Sequence, residues 1–198
     1  MPYRLLFGFL APSKSSARSL SRRVVSVVMN NSSNEDFADI ISSNSKFVTS
    51  FQDEHLTGTA RRGLAIVTCM DSRINPLAVV GMKSGDAKIL RNAGARVTDD
   101  MLRTLVLATY LLGVERVLVM PHTDCRMASG DEESIHRSIE TKHGINTRGV
   151  QFKMVTDQRA ALAADVASIR SYEILPKTLK VAGAIYDVKS GRLEFIDC

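Results

Sequence analysis

A chain of 198 residues, 44% hydrophobic and 24% charged, is long enough to bury one globular core and gives no reason to expect a second domain. The formal charge of +5 does not point to nucleic acid: Arg4, Lys14, Arg18, Arg22 and Arg23 stand in the first 33 positions, where no acid occurs, and the remainder balances at 21 basic against 21 acidic residues. Three cysteines make no disulfide framework, which favours a reducing, cytoplasmic setting, and no apolar run nears the roughly 20 residues of a membrane span.

Residues 1–33 read as a disordered or targeting-like extension. Leu5 to Ala11 is a short apolar run broken by Gly8, Ser13 to Arg23 has the Ser- and Arg-rich character of an organellar transit peptide, and Met29 offers an alternative start. A single α/β domain is expected over 34–198. Asn34-Glu35-Asp36 predicts a helix start, with Phe37, Ile40, Ile41, Phe47, Val48 and Phe51 as an imperfect apolar stripe. Gly63 to Thr68 is an unalternating apolar run, the pattern of a strand buried on both faces of a parallel sheet, and Cys69 closes it. Asn75-Pro76 opens a short helix within Ile74 to Gly81, and Gly85-Asp86 turns into a strand over Ala87 to Leu90.

Thr98-Asp99-Asp100 starts the clearest helix, whose apolar face is Met101, Leu102, Leu105, Val106, Ala108, Leu111 and Leu112, with Gly113 as the stop. The strand Arg116 to Met120 then runs into Pro121 and His122. Ser129 to His143 is polar and reads as a short helix and a loop. Thr156-Asp157-Gln158 opens a helix with Ala160, Leu162, Val166 and Ile169 facing inward, and Val181 to Val188 with Arg192 to Ile196 form a hairpin. Three strand–loop–helix units in succession imply an α/β fold with a central, mainly parallel sheet flanked by helices. Ligands bind beyond the carboxyl ends of such strands, where Cys69, Arg91 and His122 all fall.

Two clusters carry the chemistry: Cys69-Met70-Asp71-Ser72-Arg73 and His122-Thr123-Asp124-Cys125. Two thiolates and one imidazole suit zinc best among common ions, and three protein ligands leave a fourth position for water or substrate. The 52 residues between Cys69 and His122 do not fit a zinc finger, which uses two local pairs. Taken alone, Cys69 reads as a core thiol and Asp124 as a loop cap. Asp71 and Arg73 are spaced to form a bidentate pair, which is a minor surface ion pair unless a metal lies beside it. His55, His136 and His143 lie in polar sequence and read as solvated, and Cys198 reads as a free thiol.

CMDSR at 69–73, GDAKILRNAGARVTDD at 85–100 and HTDC at 122–125 together resemble a β-class carbonic anhydrase of the short prokaryotic type, from about Phe47 to the C-terminus. The resemblance implies one zinc per chain on Cys69, His122 and Cys125, an Asp71–Arg73 catalytic dyad, and Ser72, Asn92, Ala93 and Gly94 on the substrate side. It further implies dimers whose N-terminal helices wrap the neighbour, and reversible hydration of carbon dioxide to bicarbonate and a proton by attack of hydroxide formed on the metal. Arg126 departs from the glycine that many members carry after the second cysteine. Two other readings stay open: hydrolysis of carbon disulfide or carbonyl sulfide on the same site, and a non-catalytic regulator binding zinc or bicarbonate.

Overall fold

A computed structural model describes residues 35–198, so the expectations for residues 1–33 lie outside the described residues. The described chain divides into two units, one ending at Phe51 and the other spanning Gln52–Cys198. In the first, a 3-10 turn at Glu35–Phe37 leads into helix α1 (Ala38–Thr49). The expected apolar stripe is present, and Phe37, Ile40, Phe47 and Val48 on it are each more than half exposed.

The second unit is built on a five-stranded sheet, β1 (Leu64–Cys69), β2 (Ala87–Asn92), β3 (Arg116–Met120), β4 (Lys180–Tyr186) and β5 (Leu193–Ile196), in the order β2-β1-β3-β4-β5. The first four strands run parallel and β5 closes the edge antiparallel to β4, as the hairpin reading anticipated. All six residues of β1 are buried, which explains why its sequence does not alternate. Strand β2 runs two residues further than its apolar stretch, carrying Arg91 and Asn92 into the ladder opposite Thr68 and Cys69.

Helices α3 (Asp99–Leu111) and α5 (Gln158–Ser171) cover one face. Met101, Leu105 and Ala108 of α3 and Leu162, Val166 and Ile169 of α5 pack on Ala65, Val67, Val117 and Val119. Thr98 caps α3 by accepting from the Met101 N–H at 3.4 Å, and Asp157 caps α5. Two expected inward residues point out: Leu111 is 71% exposed at the last turn of α3, and Ala160 is exposed at the start of α5. The inner face of α5 instead includes Asp165, buried and bonded to Arg96. Gly183 lets α5 approach β4, since a Cβ there would meet the Leu162 side chain at 3.0 Å.

The other face holds Leu64, Ile66, Leu118, Met120 and Ala184, flanked by Ile74, Val79, Val80 and Met82. The helix expected within Ile74 to Gly81 contracts to α2 (Pro76–Val79), capped by Asn75. Conversely, the short helix expected in 129–143 is a full twelve residues, α4 (Glu132–His143). Asp131 accepts from the Ser134 N–H at 2.8 Å, Glu132 and Glu133 occupy the first turn, Lys142 and His143 the last, and Gly144 terminates it in the left-handed region. Caps and dipole complementarity thus sustain a helix whose composition is polar. Its buried residue is His136, which is not solvated as expected but packs on Phe152 and bonds Thr147 through Nδ1 at 2.9 Å. No helix among the described residues is long and apolar enough to cross a membrane.

Candidate metal centre

The pairing of β1 with β3 sets Thr68 opposite Met120, and Thr68 Oγ1 donates to the Met120 carbonyl at 2.7 Å. The chains leaving these two strand ends therefore start side by side. Cys69, the last residue of β1, and His122 and Cys125, in the loop after β3, are all buried, and their donor atoms lie within 4.8 Å of one another. The two Sγ atoms are 4.0 Å apart. Two sulfurs each about 2.3 Å from one tetrahedral zinc would stand about 3.8 Å apart, so the spacing fits.

The imidazole is oriented for the same purpose. His122 Nδ1 lies 2.8 Å from the Thr123 carbonyl, an acceptor, so Nδ1 carries the proton and Nε2 presents a bare lone pair. That Nε2 is buried and has no hydrogen-bond partner. An orphaned ring nitrogen facing two thiols costs free energy unless a cation completes it, and this is the structure's own sign that the triad fits zinc. Around the thiols, the Gly94 N–H points at Cys69 Sγ at 3.4 Å. Gly94 takes φ 80°, and a Cβ there would meet Met127 at 3.1 Å, so glycine is required by both conformation and space. Burial pushes the Cys125 thiol up to about 11, opposed by the Met127 N–H.

Asp71 and Arg73 form the expected pair. Arg73 Nε donates to Asp71 Oδ1 at 3.0 Å and its terminal nitrogen to Oδ2 at 2.7 Å, while the Arg73 backbone N–H adds a third bond to Oδ1 at 2.9 Å. The side-chain bonds first, and the backbone bond next, hold the Asp71 carboxyl well below the usual carboxylate range. Asp71 Oδ2 stands 3.7 Å from His122 Nε2, at the rim of the triad.

The other candidates take different places. Ser72 is exposed in the loop after Asp71. Ala93 and Gly94 form a 3-10 turn with Ala95, and the Asn92 side chain bonds the Arg96 backbone in both directions, at 2.7 and 2.9 Å. Arg91 donates to the carbonyls of Cys69 at 2.8 Å, Asp71 at 2.5 Å and Ile74 at 3.3 Å, stapling the 69–74 loop to β2. Arg126 is exposed and reaches Ser129 Oγ at 3.4 Å.

Three contributors have partners that sequence reasoning did not assign. Gln158 Nε2 donates to the His122 carbonyl at 2.7 Å, fixing the ligand loop from the first turn of α5. Asp124 accepts from Arg73 through both its carboxylate and its carbonyl, at 2.8 and 3.0 Å. Met127, with Pro121, Val155 and Leu162, forms the apolar wall of a small pocket against Cys125 that Arg96, Gln158 and Asp165 also line. The partners of Gln158 and Asp124 are fixed by the folded loops, and neither residue carries a sequence signature of its role.

The sequence profile of the family described as carbonic anhydrase matches residues 64–193. A protein named β-carbonic anhydrase 1 from Mycobacterium tuberculosis is 31% identical over 159 residues, covering 78% of this chain and 94% of that one. A carbon disulfide hydrolase from Acidithiobacillus thiooxidans is 29% identical over 152 residues, covering 67% and 76%. The crystal structure of a carbonic anhydrase from Streptococcus mutans superposes with a TM-score of 0.76 at 34% identity, over 81% of this chain and 97% of that one.

Proposed function

The chain belongs to the β-class carbonic anhydrase family, and from that premise we propose that it hydrates carbon dioxide reversibly to bicarbonate and a proton with one zinc per chain. The observation that carries this reading is the bare, buried Nε2 of His122 facing two thiols 4.0 Å apart, beside a carboxylate held ionised by arginine. Cys69 and Cys125 as thiolates and His122 through Nε2 would hold the metal, which when bound would bring the pKa of water from 15.7 to near 7.

The chain's own residues supply orientation. Asp71, ionised and fixed by Arg73, is the acceptor that aligns the reacting water and stands ready to take its hydrogen bond. Ser72 and the turn of Asn92, Ala93 and Gly94 frame the substrate side, Asn92 and Gly94 acting through Arg96 and the Cys69 sulfur. The apolar wall of Pro121, Met127 and Val155 suits an uncharged substrate, and the exposed rim at Ser72 and Asp124 lets the proton and bicarbonate leave to water. The catalytic unit is taken as 34–198, acting in a cytoplasmic setting.

Stopped-flow hydration by metal-quantified protein tests the reading. We expect about one zinc per chain and its loss from Cys69→Ser and Cys125→Ser; unchanged zinc in both sinks the ligand assignment. Carbon disulfide or carbonyl sulfide hydrolysis is the second reading, favoured by the relatives of that name, and the same protein assayed on both substrate classes separates the two. Measurable turnover of either excludes a purely regulatory role. We also read the chain as a homodimer. The exposed stripe of α1 and a sheet-face groove of Leu64, Val80, Met82, Leu118, Ala182 and Phe195 both offer apolar surface to a second copy. A monomer mass by light scattering would contradict this.

A further inference from the structure

Asp124 stands between His122 and Cys125 with φ 55°, a left-handed conformation costly to most L residues and best tolerated by Asn and Asp. Its carboxylate does not cap its own loop. Oδ2 accepts from one terminal nitrogen of Arg73 at 2.8 Å, and its carbonyl accepts from the other at 3.0 Å. The guanidinium is thus divided between two partners: Nε and one terminal nitrogen face Asp71, while both terminal nitrogens reach Asp124. Rotation of Arg73 that frees one edge breaks the other. The two bonded loops leave different strands, β1 and β3, and each carries part of the buried triad.

This contact is poorly placed to serve stability. The Asp124 side chain is 67% exposed and that of Arg73 is 45% exposed, and ion pairs in water contribute little to folding. A left-handed aspartate that commits its carboxylate to so exposed a bond is better explained by geometry, because the contact determines where Arg73 points and therefore how Asp71 is turned toward His122 Nε2, 3.7 Å away. We propose that Asp124 is a positioning residue for the reaction: it clamps the second edge of Arg73, keeps the Asp71 carboxylate at its station and locks the two ligand-bearing loops together.

The proposal rests on the reading that Asp71 and Arg73 serve hydration, so its test includes a measurement that needs no turnover. In the zinc-loaded full chain, modification of arginines by phenylglyoxal is followed site by site by mass spectrometry, with Arg91, which holds the 69–74 loop through three carbonyls, as the internal control. Asp124→Ala is expected to raise the rate at Arg73 severalfold and leave Arg91 unchanged. Removing an outer partner of a metal site typically costs about 10- to 100-fold in activity, and the loss should fall on kcat with KM unchanged. Asp124→Asn, whose amide oxygen still accepts from Arg73, should recover part of both. Unchanged Arg73 reactivity overturns the proposal, as does a rise shared by Arg91, which would mark general loosening. So does a variant with Arg73 unclamped and kcat intact. A parent protein without hydration activity but with Arg73 selectively released in Asp124→Ala would fail the functional reading while leaving the clamp in place.

Discussion

Two arginine–aspartate forks, Arg96–Asp165 and Arg73–Asp71, differ in what the carboxylate has left to do. Arg96 donates to Asp165 at 2.7 and 3.3 Å, and the Val97 N–H takes up further capacity of the same carboxylate at 3.1 Å. That pair is mostly buried, the side chains 20% and 8% exposed, and it ties α5 to the turn after β2. Arg73 and Asp71 are 45% and 18% exposed, and Asp71 keeps one oxygen toward a bare imidazole nitrogen. A fork closed on all sides belongs to the fold, whereas one whose carboxylate keeps an oxygen beside a ligand cluster belongs to the chemistry.

The sharpest way to break that comparison is to remove each arginine. Arg73→Ala is expected to keep its zinc and nearly its melting temperature, since exposed pairs contribute about 1 kcal/mol or less, and to lose about 100- to 10,000-fold in hydration. Arg96→Ala leaves Asp165 unpaired in a buried place, at a cost of about 3–5 kcal/mol. Melting should fall by about 6–20 °C, with a much smaller loss of activity per bound zinc. Calorimetry beside stopped-flow assay decides it. If Arg73→Ala melts as low as Arg96→Ala, or hydrates as well as the parent, the division of labour is wrong.

A smaller effect separates acid from thiol at the centre. Asp71, whose folded pKa is depressed by Arg73, contributes stability above the unfolded value of about 3.9 and loses it as pH falls through the folded value, so between about pH 5 and 9 it stays ionised. The Cys125 thiol moves the other way. Its raised pKa favours the folded metal-free protein below the unfolded value of about 8.5, and the advantage fades as pH rises toward about 11. Metal-free protein should therefore melt at a lower temperature at pH 10.5 than at pH 8. Zinc-loaded protein, its thiols already ionised, should show little of that drop. Parallel melting curves for the two forms would remove burial of the thiol as the cause.

Much of the fold was legible because β1 and the Val117–Met120 stretch of β3 are unbroken buried runs with a chemically distinct residue at or just past their ends. Those runs alone place Cys69 and His122 at strand termini. The failures have a common physical source. Helix α4 was under-read because its stability comes from Asp131, its charged termini and Gly144, with little help from an apolar stripe, and this also hid the burial of His136. Asp124 passed for a cap because its partner lies 51 residues away, on a loop from another strand. Gln158 acts on a backbone carbonyl, which every residue possesses, so no side-chain pattern could announce it; Arg91 is legible at its strand end, but its three carbonyl partners are hidden for the same reason.

The pairing of β1 with β3 also orders events in time. His122 and Cys125 are local and together offer two donors, while the third arrives when the 52-residue excursion through β2 and α3 has closed. Bringing the ends of such a loop together costs about 3–4 kcal/mol of chain entropy beyond a constant term, and contacts of this range form late in folding. A chain still leaving the ribosome has no complete triad until its third ligand, Cys125 in the loop after β3, has emerged and β3 has docked beside β1. Zinc capture is therefore a timestamp on folding: metal offered to a refolding chain should be taken up with the slow formation of the β1–β3 ladder, not with the faster growth of α3.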